Sequence, residues 1–185
     1  MSPAKVVMFV GSLRKESFNR KMAAALSALN VAPLQFEFAE IGRLPLYNQD
    51  LEGEEAPAEW VALRQQVKKA DAVLFITPEY NRSVPGVLKN AIDVASRPYG
   101  QNTLEGKPGA VIGVSPGAMG AFGAVHHLRQ MMVFLNVPMM QQPEAYMGGA
   151  TQMFDAKGGF AQENTREFMK KFVEAFAKWI ERIRG

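Results

Sequence analysis

"KVVMFVGSLRKESFNRK", Lys5 to Lys21, sets an apolar run directly against a glycine, two serines and a cluster of cations. The run Lys5–Val10 is continuously apolar after its first residue, as a strand buried on both faces of a sheet must be. The segment after it carries Arg14, Lys15, Arg20 and Lys21 against the single anion Glu16. In a parallel sheet such a loop sits at the carboxyl edge, beside the N-terminus of the next helix, where unpaired amides and the helix dipole favour negative charge. Gly11 permits a tight exit from the strand. Ser12 and Ser17 offer hydroxyl donors, Asn19 can cap the helix, and Arg14 can fork onto phosphate oxygens. The same residues also suit an ordinary capped surface loop, so this segment alone leaves two readings open.

Further along the chain, short apolar β-branched runs alternate with stretches of helical period, the pattern of βα units closing a parallel sheet. The expected strands are Lys5–Val10, Gln35–Ile41, Ala72–Thr77, Gly109–Ser115 and a weaker "VPMMQQ" from Val137, with the first, third and fourth central. The expected helices are Asn19–Leu29, Glu59–Lys69, Gly86–Ala95, Ala121–Leu135 and Gln162–Ile183. The last places Phe168, Phe172, Ala175, Phe176, Trp179, Ile180 and Ile183 on one apolar stripe. The whole chain, residues 1–185, reads as one α/β domain with a flavodoxin-like strand order of 2-1-3-4-5 and helices on both faces. "NQDLEGEEAPAE", Asn48 to Glu59, reads as a mobile acidic loop.

Composition narrows the function. The 185 residues hold no cysteine, which excludes disulfides, thiolate catalysis and thiolate-bound metal or iron–sulfur sites. A net charge of +3, from 21 Lys and Arg against 18 Asp and Glu, is too small and too mixed for nucleic-acid binding. No run is long enough to span a membrane, and "MSPAKVVMFVGS" lacks the features of a secretory signal, so a cytoplasmic protein is expected. There is neither a G-x-x-x-x-G-K-[ST] nor a G-x-G-x-x-G after the first strand, which turns the first loop away from Walker nucleotides and dinucleotide pyrophosphates and toward a single terminal phosphate. His126 and His127, adjacent on a helix, point about 100° apart and make no metal site.

In the strand order 2-1-3-4-5 the first and third strands are neighbours at the switch point, so the loops after them face one crevice. The second loop belongs to "TPEYNRSVPGVLKNAID", Thr77 to Asp93. Pro78, Glu79, Tyr80 and Asn81 can border a planar heterocycle, Pro85 and Gly86 open the next helix, and Glu79 has the alternative of a plain surface carboxylate. Arg82 either meets the additional phosphate of NADPH or forms a surface ion pair. A third loop, "SPGAMGAFG" from Ser115, brings Gly117, Gly120 and Gly123, which admit close backbone approach to a flat ligand.

With "GSLRKESFN" and "TPEYNRSVPGVLKNAID" both in view, the sequence resembles the NAD(P)H-dependent FMN reductase family, flavodoxin-like enzymes that include bacterial quinone and chromate reductases. The similarity continues through "EGKP" (Glu105–Pro108), "HLRQ" (His127–Gln130) and "PEAYMGG" (Pro143–Gly149). The resemblance implies FMN as bound cofactor and NAD(P)H as donor, with Gly11, Ser12, Arg14, Ser17, Phe18 and Asn19 in the phosphate loop, Pro78 to Asn81 along the ring, and Ser115 and Gly117 near it. It implies chemistry on the flavin with no catalytic side chain and no metal, a ping-pong hydride transfer to quinones or to azo compounds, chromate or free flavin, and a homodimer or homotetramer. The methionine-rich "LRQMMVFLNVPMM" is a candidate subunit contact or simply core. Four positions depart from the family pattern: Ala121 replaces a glycine, Arg82 and His126 stand where related chromate reductases can carry tyrosines, and Gly123 stands where an arginine can occur. The rival reading is a flavodoxin-type electron carrier without NAD(P)H turnover of its own.

Overall fold

The computed structural model describes residues 3–185. Met1 and Ser2, the start of the stretch read for a secretory signal, lie outside the described residues. Five parallel strands, β1 (Ala4–Val10), β2 (Leu34–Phe38), β3 (Ala72–Thr77), β4 (Gly109–Val114) and β5 (Ala145–Met147), form one sheet in the order β2-β1-β3-β4-β5. Between and after them run α1 (Phe18–Leu29), α2 (Ala58–Lys69), α3 (Gly86–Ala95), α4 (Phe122–Phe134) and α5 (Glu163–Arg184). The expected flavodoxin-like order is therefore the observed one.

Side-chain alternation along the strands builds two cores. Val7, Phe9, Val73, Phe75 and Val111 face α2, α3 and α4, while Val6, Met8, Leu74, Ile76 and Ile112 face α1 and α5. Every residue of β3 and β4 is buried, whereas β2, at the sheet edge, has no fully buried residue. Helix α5 is rotated slightly from its expected stripe: Met169, Phe172, Val173, Phe176, Ala177 and Ile180 are buried, and Phe168, Ala175 and Trp179 flank them.

The expected fifth strand from Val137 is displaced. Only Met139 bridges β4 there, opposite Gly109, with the Gly109 amide donating to Pro138 and the Met140 amide donating to Gly109. Pro138 and Pro143 lack the amide hydrogens a ladder needs, so the chain leaves the sheet and rejoins it at Ala145–Met147, beside Ile112–Val114. The acidic loop carries some local structure. It holds a short 3-10 turn, Gln49–Leu51, and Glu52 is pinned by a two-point ion pair with Arg64 at 2.6 and 3.0 Å. No helix among the described residues is long and apolar enough to cross a membrane.

Candidate functional site

The loops after β1, β3 and β4 are stitched together at the carboxyl edge of the sheet. The Gly11 amide donates to Ile76 at 2.8 Å, and a β-carbon at Gly11 would stand 3.3 Å from both Pro78 and Thr77 and 3.1 Å from Leu88. Glycine thus lets the first loop lie against the second. From the other side the Asn19 side-chain amide reaches the Val114 carbonyl, at 3.4 Å.

In the first loop Ser17, not Asn19, caps α1. Ser17 has extended backbone (φ −74, ψ 122) and its hydroxyl accepts from the Arg20 amide at 3.2 Å. Asn19 is already inside the first turn, and its side chain makes no bond to an amide of that turn. It is instead 4% exposed, with its Oδ1 left without a partner. Ser12 and Ser17 are likewise buried, and Arg14 lies exposed with its guanidinium 5.9 Å from the Phe18 ring. Among the described residues no protein acceptor takes the backbone amides of Leu13 to Asn19. Lys21 is neutralised by Glu16 at 3.1 Å, so Arg14, Lys15 and Arg20 are the cations free of a salt bridge here.

The second loop is narrower in what it offers than its composition implied. Pro78 has no amide hydrogen and its carbonyl accepts from the Thr77 hydroxyl at 2.7 Å. Tyr80 and Ser83 exchange both backbone bonds, at 2.9 and 3.0 Å, around Asn81 (φ 51) and Arg82 (φ 64), the geometry of a type I′ turn. The amides of Glu79 and Asn81 remain for a ligand edge, beside the exposed ring of Tyr80. The Glu79 carboxylate is turned inward, its side chain 13% exposed. One oxygen accepts from Arg82 at 3.0 Å and the other from the Ala124 amide at 3.2 Å, so Glu79 supplies a carboxylate to the first turn of α4.

In the third loop only Gly117 faces open space, where an added β-carbon would come no closer than 3.6 Å to Ser115 Oγ. Ser115 is held by backbone bonds to Met147 and Ala150, and its hydroxyl accepts from the Gly117 amide at 3.1 Å. Gly120 is packed against Tyr146, and Gly123 against Glu79 and Arg82, so these two glycines admit protein rather than ligand. Ala121, in the place of a family glycine, nonetheless takes the left-handed conformation (φ 63) and is buried. The two histidines diverge: His127 Nδ1 pairs with Ser83 Oγ at 3.0 Å, and His126 Nε2 with the Tyr146 hydroxyl at 3.1 Å. Burial, then the hydrogen-bonded carboxylate of Glu144, pushes the Tyr146 hydroxyl up to about 12. Sequence reading missed the Glu79–Ala124 contact. A glycine in the first turn of a helix was the available signal, since alanine is favoured there unless something approaches closely.

These residues fit flavin mononucleotide. The free amides and serine hydroxyls at α1 suit a phosphate, and the unpartnered Oδ1 of Asn19 calls for a donor of the kind a ribityl hydroxyl carries. The free amides of Glu79 and Asn81 suit the carbonyls and ring nitrogens of the flavin's polar edge.

Comparisons with known proteins give the family. A family model described as NADPH-dependent FMN reductase matches residues 4–152. A quinone reductase of Pseudomonas putida is 57% identical over 95% of this chain and 94% of its own. An NAD(P)H-dependent FMN reductase of Pseudomonas aeruginosa is 43% identical over 98% of this chain and 97% of its own. Among solved structures, the flavoenzyme NAD(P)H:(acceptor) oxidoreductase FerB of Paracoccus denitrificans superimposes with a TM-score of 0.92 at 46% identity, covering 97% of this chain and 98% of that one. With its flavodoxin-like sheet and its paired loops, this chain belongs to the NADPH-dependent FMN reductase family, oxidoreductases that use FMN with a reduced nicotinamide as donor.

Proposed function

We propose that the protein is an NAD(P)H:quinone oxidoreductase of ping-pong type, in which nicotinamide and quinone occupy the same crevice in turn. One observation carries the reading: the open N-terminus of α1 and the Pro78–Asn81 loop meet at adjacent strand ends, across Gly11, and so offer an anion site and a ring-edge site side by side. The name of the 57% identical relative supports quinone as the acceptor class. Azo compounds, chromate and free flavin are further acceptors of the same open site.

Gly11, Ser12, Arg14, Ser17, Phe18 and Asn19 hold the FMN phosphate and the adjoining chain. Pro78, Glu79, Tyr80 and Asn81 border the ring, with backbone rather than carboxylate contributed by Glu79, and Ser115 and Gly117 lie on its other side. Bound FMN supplies two-electron hydride chemistry, so the protein's task is to orient, to hold charge and to leave one face accessible. Arg82, 80% exposed at the lip of the second loop, reads the additional phosphate of NADPH. All this takes place in one cytoplasmic domain spanning the chain.

A homodimer or homotetramer forms through α4. Met132 and Met140 are core, but Val133 and Phe134 are 82% and 75% exposed, and Phe134 lines a groove of about 670 Å³ between α3 and α4. Val133→Lys with Phe134→Lys should halve the mass measured by light scattering; an unchanged mass would place the contact elsewhere.

The protein as purified should be yellow, bleach with NADPH under nitrogen and regain colour with benzoquinone. Initial rates at varied quinone should give parallel double-reciprocal lines. Intersecting lines would reject the ping-pong order, and colourless protein that takes up no FMN would reject the function.

A further inference from the structure

We infer that Glu79 is a positioning residue that sets the preference between NADPH and NADH by orienting Arg82, and that Gly123 is what allows it to do so. The inference rests on the reading of Arg82 as the contact for the additional phosphate. Arg82 sits in the left-handed conformation at the second central position of a tight turn, a place that favours glycine and that an arginine occupies against steric preference. Its side chain is long, exposed and rich in rotamers, and an unheld guanidinium would lose much of its value as a phosphate fork on ordering.

Glu79 removes that freedom. Its side chain is largely buried, anchored by the Ala124 amide at 3.2 Å, and its other oxygen takes Arg82 Nη1 at 3.0 Å. Among the described residues this is the one hydrogen bond of the Arg82 side chain, so Nη2 and Nε stay free for a ligand. Glycine at position 123 leaves room for the carboxylate to reach α4. A β-carbon there would stand 3.0 Å from Glu79 Oε2 and 3.1 Å from the Arg82 carbonyl. One substitution at Gly123 therefore disturbs both residues without altering any charge.

The carboxylate also carries an opposing effect, since a negative charge near Arg82 repels a phosphate. Orientation prevails because the charge of Glu79 is spent on the α4 N-terminus and on Arg82 itself, while exposed charges not in contact are screened over about 8 Å at physiological salt. The two effects predict opposite signs, which makes the inference testable.

On the FMN-loaded protein, the dissociation constant of adenosine 2′,5′-bisphosphate is measured by calorimetry, together with KM for NADPH and NADH, in the wild type, Arg82→Ser, Glu79→Gln and the double variant. Arg82→Ser should weaken the bisphosphate about tenfold and raise KM for NADPH more than for NADH. Glu79→Gln, which keeps the size and an acceptor for Ala124, should weaken it about threefold with the same KM split, and the double variant should be no worse than Arg82→Ser. Gly123→Ala should reproduce the Glu79→Gln split with all charges intact, and it stands in should Glu79→Gln not fold. Unchanged or tighter bisphosphate binding in Glu79→Gln or Gly123→Ala, beside a loss in Arg82→Ser, overturns the role of Glu79 and leaves that of Arg82 standing. No loss in Arg82→Ser overturns the reading of Arg82 and this inference with it.

Discussion

The N-termini of α1 and α4 lie at the same edge of the sheet and are finished in opposite ways. At α1 the cap is a neutral serine, and among the described residues the amides from Leu13 to Asn19 have no protein acceptor and the buried Oδ1 of Asn19 has no donor. At α4 no residue of the helix or its cap supplies a side-chain cap, yet Glu79 reaches across 45 positions to occupy the Ala124 amide, and Phe122, His126 and Tyr146 cover the turn as an aromatic group with centroids 4.2 to 6.1 Å apart. Each helix end favours an anion. The protein supplies its own at α4 and none at α1, and on the reading proposed above that difference separates a structural joint from a binding site on one sheet.

The comparison breaks most completely if α1 is given an anion of its own. Ser17→Asp keeps an acceptor for the Arg20 amide while setting a carboxylate where the phosphate belongs. Two negative charges about 4 Å apart at intermediate dielectric repel by roughly 4 kcal/mol, so FMN affinity should fall at least about hundredfold by fluorescence titration, with far-UV circular dichroism unchanged. The converse change opens α4. Glu79→Ala leaves the Ala124 amide and Arg82 without their acceptor, at a cost of about 2 kcal/mol, which for a chain of this size lowers Tm by about 5 °C in calorimetry.

A smaller effect is expected from Gly123→Ala. In an ordinary helix position that change stabilises by about 0.5 to 1 kcal/mol, but here the β-carbon presses on Glu79 and Arg82. Tm should stay level or drop by about 2 °C, and a rise of that size would show that Glu79 moves aside freely.

Tyr146 gives the smallest effect. Its hydroxyl titrates near 12 in the folded chain against 10.0 for the free side chain. Between those values the unfolded chain has released the proton and the folded chain has kept it, so ionisation favours unfolding and stability falls as pH rises from 10 to 12. Tyr146→Phe should flatten that part of the stability profile in denaturant titrations, and an unaltered slope would remove Tyr146 from the covered end of α4.

How much of this was legible depended on whether the signal was local. The buried strands β1, β3 and β4 announce themselves as continuous apolar runs, and the strand order follows once the two loops are placed at a switch point. The fifth strand was misplaced because "VPMM" is the more apolar segment. Three residues, Ala145–Met147, are too few to show a period, and the prolines that exclude Val137 from the ladder act only through hydrogen bonds. Ser17 and Asn19 are both good caps by type, and only backbone conformation separates them. The inward turn of Glu79 had no neighbour in sequence to betray it, and Gly123 was the sole residue whose type recorded the contact.

The most direct test of the open α1 terminus compares two ligands that differ only in the phosphate. Apoprotein titrated with FMN and with riboflavin, followed by quenching of flavin fluorescence, should bind FMN at least about hundredfold more tightly, as expected for two or more charge-assisted hydrogen bonds from amides and hydroxyls at that helix end. Equal affinities for the two flavins would contradict the claim that the first loop is kept open for a phosphate.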